Sequence, residues 1–162
     1  MQNQKIQQGM WMIGKWTFDI QDTITGKTRK IEEYNLIPTV AKEAFAAQMS
    51  NGNTTNIGDN LYVAIGSGTT APTSWDTVLE TEVTRKAASS TSFLVAVASV
   101  ATFFAAWEAT GTHREFWLFW NWNTTTASGT VDTGILFSHV SANVAVSAVE
   151  TLTCTFQITF SS

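Results

Sequence analysis

The chain is poor in the residues that build covalent cross-links and metal centres. It contains one cysteine, Cys154, and two histidines, His113 and His139. A lone cysteine cannot form an intramolecular disulfide, and this set holds too few ligands for a structural zinc site. We therefore expect a fold that is stabilised by burial and hydrogen bonding, with no metal and no cofactor.

Charged residues are also scarce. They make up 14% of the 162 residues, where about a quarter is usual. Nine scattered Lys and Arg stand against 13 Asp and Glu, for a net charge of -4. Because phosphate binding needs clustered basic residues, we expect no nucleic-acid partner. The hydrophobic content of 44% excludes a disordered chain. Because the surface carries so little charge, we expect much of it to be covered.

Long uninterrupted apolar runs are missing too. The longest apolar stretch, 93–107, is interrupted by Ser99 and Thr102 and falls short of the roughly 18 residues that a membrane helix needs. The first sixteen residues lack the basic segment and apolar core of a secretory signal. We therefore expect neither a membrane partner nor secretion.

Alternation of apolar and polar residues is what the sequence has in abundance. Apolar residues at every second position from Trp16 to Ile20, a turn at 24–27 and a return strand that stops at Pro38 predict an N-terminal hairpin over 15–37. The tail alternates most clearly, with one apolar face formed by Leu152, Cys154, Phe156, Ile158 and Phe160. This pattern is typical of a strand with one buried side.

One segment departs from alternation. From 39 to 49, Val40, Ala44 and Ala47 recur at spacings of three and four, and Thr39 is placed as the N-cap. Asn51 and Gly52 follow, and both residue types tolerate the conformation that ends helices. The sequence predicts one short α-helix near 39–49.

The remaining apolar segments predict further strands. They lie at 61–65, 93–109, 115–122, 135–140 and 144–149, and the short link 110–112 is consistent with a hairpin. In total we predict about seven to nine strands and a mainly β fold, an antiparallel, jelly-roll-like β-sandwich. Residues 1–14 are predicted to form an N-terminal arm, and 15–162 a single domain.

The segment 115–122 is apolar on both faces, since Phe116, Leu118, Trp120 and Trp122 alternate with other apolar residues. Such a strand must be covered on both sides, either by the chain's own helix or by a neighbouring subunit. Aromatic side chains of this kind are enriched at protein interfaces. Our interface candidates are Trp11, Trp75, Phe116, Trp117, Phe119, Trp120 and Trp122.

Several patterns permit chemistry but have simpler explanations. The stretch 66–71 matches a dinucleotide-binding string, but Pro72 disfavours the helix that this mechanism needs, which leaves a plain loop. Asp59, Asp76, Glu80 and Glu82 could bind calcium or be solvated loop carboxylates.

A hydrolytic site is also disfavoured. Glu108 and Glu115 could form an acid and base pair, although an ion pair with Arg114 is the simpler interpretation. The histidines lack a nucleophile motif nearby. We therefore predict no catalytic residues, no metal ligands and no enzyme activity.

The seven tryptophans allow a second function. An indole face can stack on a sugar ring, and Trp75, Trp120 and Trp122 are the candidates for such a platform. The alternative is that these residues lie in the core or at a subunit interface.

The order of motifs resembles a group of small tailed-bacteriophage virion proteins, which includes tail-fibre, collar and capsid-attached components. The resemblance covers about residues 16 to 160, and its strongest element is IGSGTTAP at 65–72, followed by DTVLETE at 76–82 and Arg85. Where many such proteins have a small residue and Asp, this chain has Trp117, Trp120 and Asn121.

The resemblance implies a non-enzymatic virion component that is assembled in the host cytoplasm as a symmetric homo-oligomer, for which we favour a trimer. It implies contacts with other virion proteins, either as a capsid decoration or cement protein or as a tail or fibre component. The alternative function is a carbohydrate-binding module that recognises a host glycan.

Overall fold

The structure, a computed structural model, describes residues 11–51, 60–120 and 134–161. Nine strands and one helix lie in these ranges. Their bounds are β1 Trp11–Asp22, β2 Thr28–Asn35, α1 Thr39–Asn51, β3 Leu61–Gly66, β4 Glu82–Ala87, β5 Ser90–Leu94, β6 Val97–Phe104, β7 Gly111–Trp120, β8 Ile135–Val146 and β9 Glu150–Ser161.

The strands form two antiparallel sheets that pack against each other. One sheet has the order β2-β1-β9-β6-β5 and the other the order β4-β3-β7-β8. Successive hairpins alternate between the sheets, and β9 returns to lie between β1 and β6. The predicted β-sandwich with its N-terminal hairpin and one short helix is confirmed.

The core lies between the sheets, as the alternating patterns require. Trp16, Phe18 and Ile20 of β1 are 0–1% exposed, and the Phe18 ring centroid lies 4.2 Å from that of Phe116 on the opposite sheet. The apolar face of β9 is buried in the same cluster, which confirms the prediction for the tail. Each large side chain buried in this way contributes about 1.5–3 kcal/mol.

A buried polar link joins the sheets beside this core. The Trp16 indole N–H donates to the Ser138 hydroxyl oxygen at 2.8 Å, and the Asn35 amide donates to the same oxygen at 2.7 Å. At the adjoining corner, Leu36 forms an isolated backbone bridge with His139 of β8. The edge of β8 is thereby covered by the end of the first hairpin.

Three of the predicted strands and links are wrong. The segment 93–109 is not one strand, because the chain reverses at Val95 between β5 and β6. The link 110–112 is not a hairpin, since β6 and β7 belong to different sheets. The segments 135–140 and 144–149 are not two strands, because β8 runs without a break from Ile135 to Val146 and residues 147–149 lie in the connection that follows. An alternating pattern indicates which side chains share a face, but it does not specify where the backbone turns or which strand it joins.

The N-terminal boundary also differs. Strand β1 begins at Trp11, so residues 11–14 belong to the sheet and not to an arm, while residues 1–10 lie outside the described residues. Among the helices of the described ranges, none has the length and apolar character needed to cross a membrane.

Candidate functional site

Four of the predicted interface residues are covered within the chain itself. Phe116, Trp117, Phe119 and Trp120 are 0–1% exposed. Phe116 and Trp120 belong to the core between the sheets, whereas Trp117 and Phe119 lie in a second cluster on the outer face. These side chains have no surface left for a neighbouring subunit, so the prediction of an interface at them is corrected.

The cover over the outer face of β7 comes from the chain's own helix and loop. Leu79 of the loop between β3 and β4 is buried against Trp117 and Phe119, and Val40 of α1 packs on the same cluster. The Arg85 guanidinium lies 4.6 Å above the Phe119 ring. The sequence left open whether the chain's own helix or a neighbouring subunit covers this face. In the structure, the chain's own helix and loop cover it.

The other interface candidates have different positions. Trp75 is 79% exposed in the loop between β3 and β4, and Trp11 is the first residue of β1. Trp122 lies outside the described residues. Sequence reasoning missed Trp107, which is 75% exposed and has a positive φ of 78°. The positive φ of a non-glycine residue cannot be read from the alternation of apolar residues.

The loop between β3 and β4 is anchored to a buried carboxylate. Glu115 is 1% exposed and accepts hydrogen bonds from the backbone N–H groups of Gly68, Glu80 and Thr81 at 3.1–3.2 Å. Charged hydrogen bonds of this kind are about twice as strong as neutral ones. Glu115 therefore holds both ends of the loop against the sheet, in place of the ion pair with Arg114 that the sequence suggested.

Two further acids organise the loop. The Glu80 carboxylate accepts from the N–H groups of Thr69 and Thr70 at 2.8 and 2.9 Å, and Asp76 accepts from the N–H and hydroxyl of Thr73 at 2.7 and 2.6 Å. The backbone bonds from Thr70 and Thr69 lower the pKa of Glu80. Asp76 and Glu80 therefore accept hydrogen bonds from the loop backbone. The sequence analysis considered these acids as calcium ligands or as solvated carboxylates and did not predict this role.

Asp76 also contacts His139 of β8, a pairing that the sequence does not predict. The Asp76 Oδ2 and His139 Nδ1 atoms lie 2.9 Å apart, and the imidazole packs on Trp117 with ring centroids 4.0 Å apart. Burial lowers the pKa of His139, and the hydrogen bond to Asp76 opposes this shift without overcoming it. Partial burial acts to raise the pKa of Asp76, but bonds from Thr73 and His139 outweigh it and the pKa is lowered.

The Asp76 and His139 pair is not joined by the nearby serine, Ser138, as a nucleophile. Ser138 adjoins His139 in sequence, but neighbouring strand residues point to opposite faces, and the Ser138 hydroxyl lies in the core against Trp16. Glu108 is on the turn after β6, where it pairs with Lys86. Glu108 and Glu115 thus take separate partners.

The other acidic residues that the sequence offered as calcium ligands are Glu82 and Asp59. Glu82 forms a buried ion pair with Arg85, and Asp59 lies outside the described residues. Within the described ranges, no group of three or more His, Cys, Asp or Glu side chains could hold a metal ion. Cys154 is buried in the core, and burial raises the pKa of its thiol, so it packs as a small apolar residue.

A different part of the molecule presents an exposed apolar surface. Strand β5 is at the edge of its sheet, all five of its residues are exposed, and none is charged. Phe93 and Leu94 at its end and Val95 in the turn that follows are 73%, 76% and 84% exposed. Val95 has a φ of 57°, which is unfavourable for a β-branched residue. We call residues 90–95 the β5 edge.

An apolar groove of about 520 Å³ adjoins the β5 edge. It opens between the sheets, and phenylalanines from α1, β5, β8 and β9 line it: Phe45, Phe93, Phe137, Phe156 and Phe160. The β5 edge and this groove place exposed and half-buried apolar surface at one end of the sandwich.

Neither the fold nor these two regions connects the chain to a known family. Comparisons with protein-family models, curated proteins and solved structures found no match to this chain.

Proposed function

We propose that this protein is a non-enzymatic structural component of a bacteriophage virion, whose copies associate through the β5 edge and the adjoining groove. The observation that carries the association is the β5 edge, an uncharged segment at a sheet edge whose last three residues, Phe93, Leu94 and Val95, are exposed. The assignment to a virion is supported by the motif resemblance of the sequence.

The other sheet edges in the described ranges are protected against pairing. Strand β2 carries Arg29, Lys30, Glu32 and Glu33, and β4 carries Glu82, Arg85 and Lys86. The edge of β8 is covered by Leu36 and by Arg29, which donates to the Ala145 carbonyl oxygen. Proteins use such charges and covers to prevent edge-to-edge association. The β5 edge has neither charged residues nor a cover of this kind. This favours the interpretation that another copy covers it in the assembled state.

A second copy fits the chemistry of this surface. The outer backbone groups of β5 can bond a further strand, and the exposed apolar side chains can bury themselves in a neighbour's groove. Burial contributes about 25 cal/mol per Å² before the cost of association. Pairing of β5 with its own copy gives a two-fold dimer, whereas insertion of the edge into a neighbour's groove gives a ring. We favour the second arrangement, closed as a trimer.

Light scattering on the full chain after size exclusion tests the association. We expect a trimer mass for the wild type and a monomer mass for Leu94→Lys, because the introduced ammonium would be buried in the interface. Tyr34→Lys is the matched control, since Tyr34 is 75% exposed on the charged edge strand β2, and it should remain a trimer. A folded wild-type monomer at micromolar concentration would refute the proposal.

Two placements within a virion share this mechanism, and both involve other virion proteins as partners. A capsid decoration or cement protein is present in hundreds of copies, and a tail or fibre component in few. The stained gel intensity of the chain relative to the major capsid protein, measured on purified particles, separates the placements. Absence of the chain from purified particles would contradict a virion role.

A carbohydrate-binding module for host recognition is the second candidate. It is favoured by Trp75, whose indole is 79% exposed on a loop that hydrogen bonds hold in place. An exposed indole face can stack on a pyranose ring. A glycan array should give signals that Trp75→Ala removes and that Trp107→Ala keeps. An array without signal would count against this function and leave the first proposal unchanged.

A further inference from the structure

A small pocket lies between the loop that joins β3 to β4 and the outer face of the β7 and β8 sheet. Its volume is about 230 Å³, and its lining includes Thr70, Asp76, Glu80, Glu115, Trp117 and His139. Thr70 and Glu80 are exposed at its rim, while His139 and Trp117 are 2% and 1% exposed. The pocket is thus open at the loop and closed at the sheet.

Two polar atoms of the pocket residues have no hydrogen-bond partner in the part of the chain that the structure describes. They are Nε2 of His139 and the indole Nε1 of Trp117. Buried polar atoms are nearly always paired with protein, water or ligand, and an unpaired one needs an explanation. These two side chains come from neighbouring strands, where Trp117 and His139 are directly opposite in the register.

The hydrogen-bonding roles of the two atoms are fixed and complementary. Asp76 accepts at Nδ1 of His139, which places the imidazole proton there and leaves Nε2 as an acceptor as long as the ring is neutral. Burial lowers the pKa of His139 and so favours the neutral ring. The indole nitrogen of Trp117 can only donate. The pair therefore presents one acceptor and one donor.

The charged walls of the pocket narrow the ligand class. The carboxylates of Asp76, Glu80 and Glu115 disfavour an anion. A cation gains little from them, because each already accepts two or more hydrogen bonds from protein groups. A hydroxyl group can donate to His139 and accept from Trp117 at the same time, whereas an ionised carboxylate can only accept and an ammonium group can only donate.

We infer that this pocket binds a hydroxyl group of a small neutral polyol, with Nε2 of His139 as the acceptor and the indole N–H of Trp117 as the donor. The ligand is either an open-chain polyol of the glycerol type or a neutral sugar residue. The inference does not depend on association through the β5 edge. It concerns a different site from Trp75, whose role is stacking.

Nitrogen and proton NMR of the full chain tests the inference, with glycerol, galactose and tetrahydropyran as probes. We expect the Trp117 indole resonance and the His139 Nε2 resonance to shift in a saturable manner with glycerol or galactose. Tetrahydropyran, a sugar-like ring without hydroxyl groups, should cause no shift. A response to galactose alone assigns the ligand to sugars, and a response to glycerol alone assigns it to open-chain polyols.

Two variants identify the contacts. Trp117→Phe removes the donor, and His139→Asn retains an amide that can donate to Asp76 while it removes the Nε2 acceptor. Each should bind the probe about tenfold more weakly, as expected for one lost hydrogen bond in a buried site. Trp107→Phe is the control and should bind like the wild type, because Trp107 is not among the residues that line the pocket. If neither resonance moves with any probe, or if both variants bind as the wild type does, the pocket holds ordered water only and the inference is wrong.

Discussion

The Glu115 carboxylate and the backbone N–H of Gly68, 47 positions apart in sequence, are joined by a hydrogen bond of 3.1 Å in the buried interior. The same carboxylate accepts from the N–H groups of Glu80 and Thr81, so a single side chain of β7 holds the beginning and the end of the loop. The loop in turn covers Trp117 and carries Asp76 to His139. The outer face of the second sheet therefore depends on this one acid.

Glu115→Gln should lower the free energy of unfolding by about 3 kcal/mol. The amide keeps one acceptor oxygen but turns an NH₂ group toward backbone donors, which leaves buried N–H groups unpaired. Urea unfolding followed by tryptophan fluorescence measures the loss. Glu108→Gln is the control, because Glu108 is exposed and paired with Lys86 at the surface, where ion pairs contribute at most about 1 kcal/mol. Equal effects of the two changes would show that Glu115 does not hold the loop.

Gly68→Ala should also destabilise the protein, by about 2–3 kcal/mol. A Cβ at position 68 would lie 2.4 Å from the Glu115 carboxyl carbon, so either the loop or the carboxylate must move. Gly26→Ala is the contrasting change: Gly26 has a φ of 70° and open space around it, so the cost is the conformational strain of about 1 kcal/mol. Thermal unfolding of both variants compares the steric cost at position 68 with the cost of backbone strain at position 26. A Gly68→Ala protein as stable as the wild type would contradict the close packing.

Stability should fall as the pH drops below about 6.5, because of His139. The folded-state pKa of His139 is lowered from its ordinary value of 6.5 by burial, so the unfolded chain binds a proton at a higher pH than the folded chain does. The stabilisation that the neutral His139 contributes to folding is fully present above pH 6.5, and it is lost as the pH falls toward the pKa of His139 in the folded state. A second loss follows below 3.8 from Asp76, whose pKa is also lowered.

Urea midpoints measured from pH 8 to 4 test this dependence. His139→Asn should remove the part of the slope that begins near 6.5, since asparagine does not titrate. A slope that is unchanged in this variant would assign the pH dependence to other groups.

Val95→Gly should raise the stability of the monomer by about 1 kcal/mol, because glycine adopts a positive φ without the steric cost that valine pays. The same change should weaken the trimer, since it removes an exposed apolar side chain from the β5 edge. Unfolding measured on the monomeric Leu94→Lys background isolates the first effect, and light scattering of the single variant measures the second. A less stable monomer would show that the turn does not strain Val95.

Most of the fold could be predicted from the sequence. The alternation at Trp16, Phe18 and Ile20 and along β9 specifies buried faces, because a strand places every second side chain on the same side. The spacing over 39–49 specifies the helix for the corresponding reason. The turn at Val95 was missed because its residues are those of a strand, and only the pairing of β6 with β5 and β9 reveals the reversal.

The candidate site was much harder to predict. His139 and Asp76 are both visible in the sequence, yet 63 positions separate them, and nothing local in either segment indicates the other. Trp117 and Phe119 were expected at an interface because their pattern is apolar on both faces. The same pattern fits a cover supplied by the chain itself, which is the one present.

The sequence by itself determined the class of fold, the buried faces of the strands and the low charge of the surface, since these depend on residue type and local period. The tertiary structure decided which strand is left uncharged at a sheet edge, which acids hold the loop and which polar atoms lie unpaired beneath it. Those relationships are between residues far apart in the chain, so they arise only when the two sheets and the loop pack together.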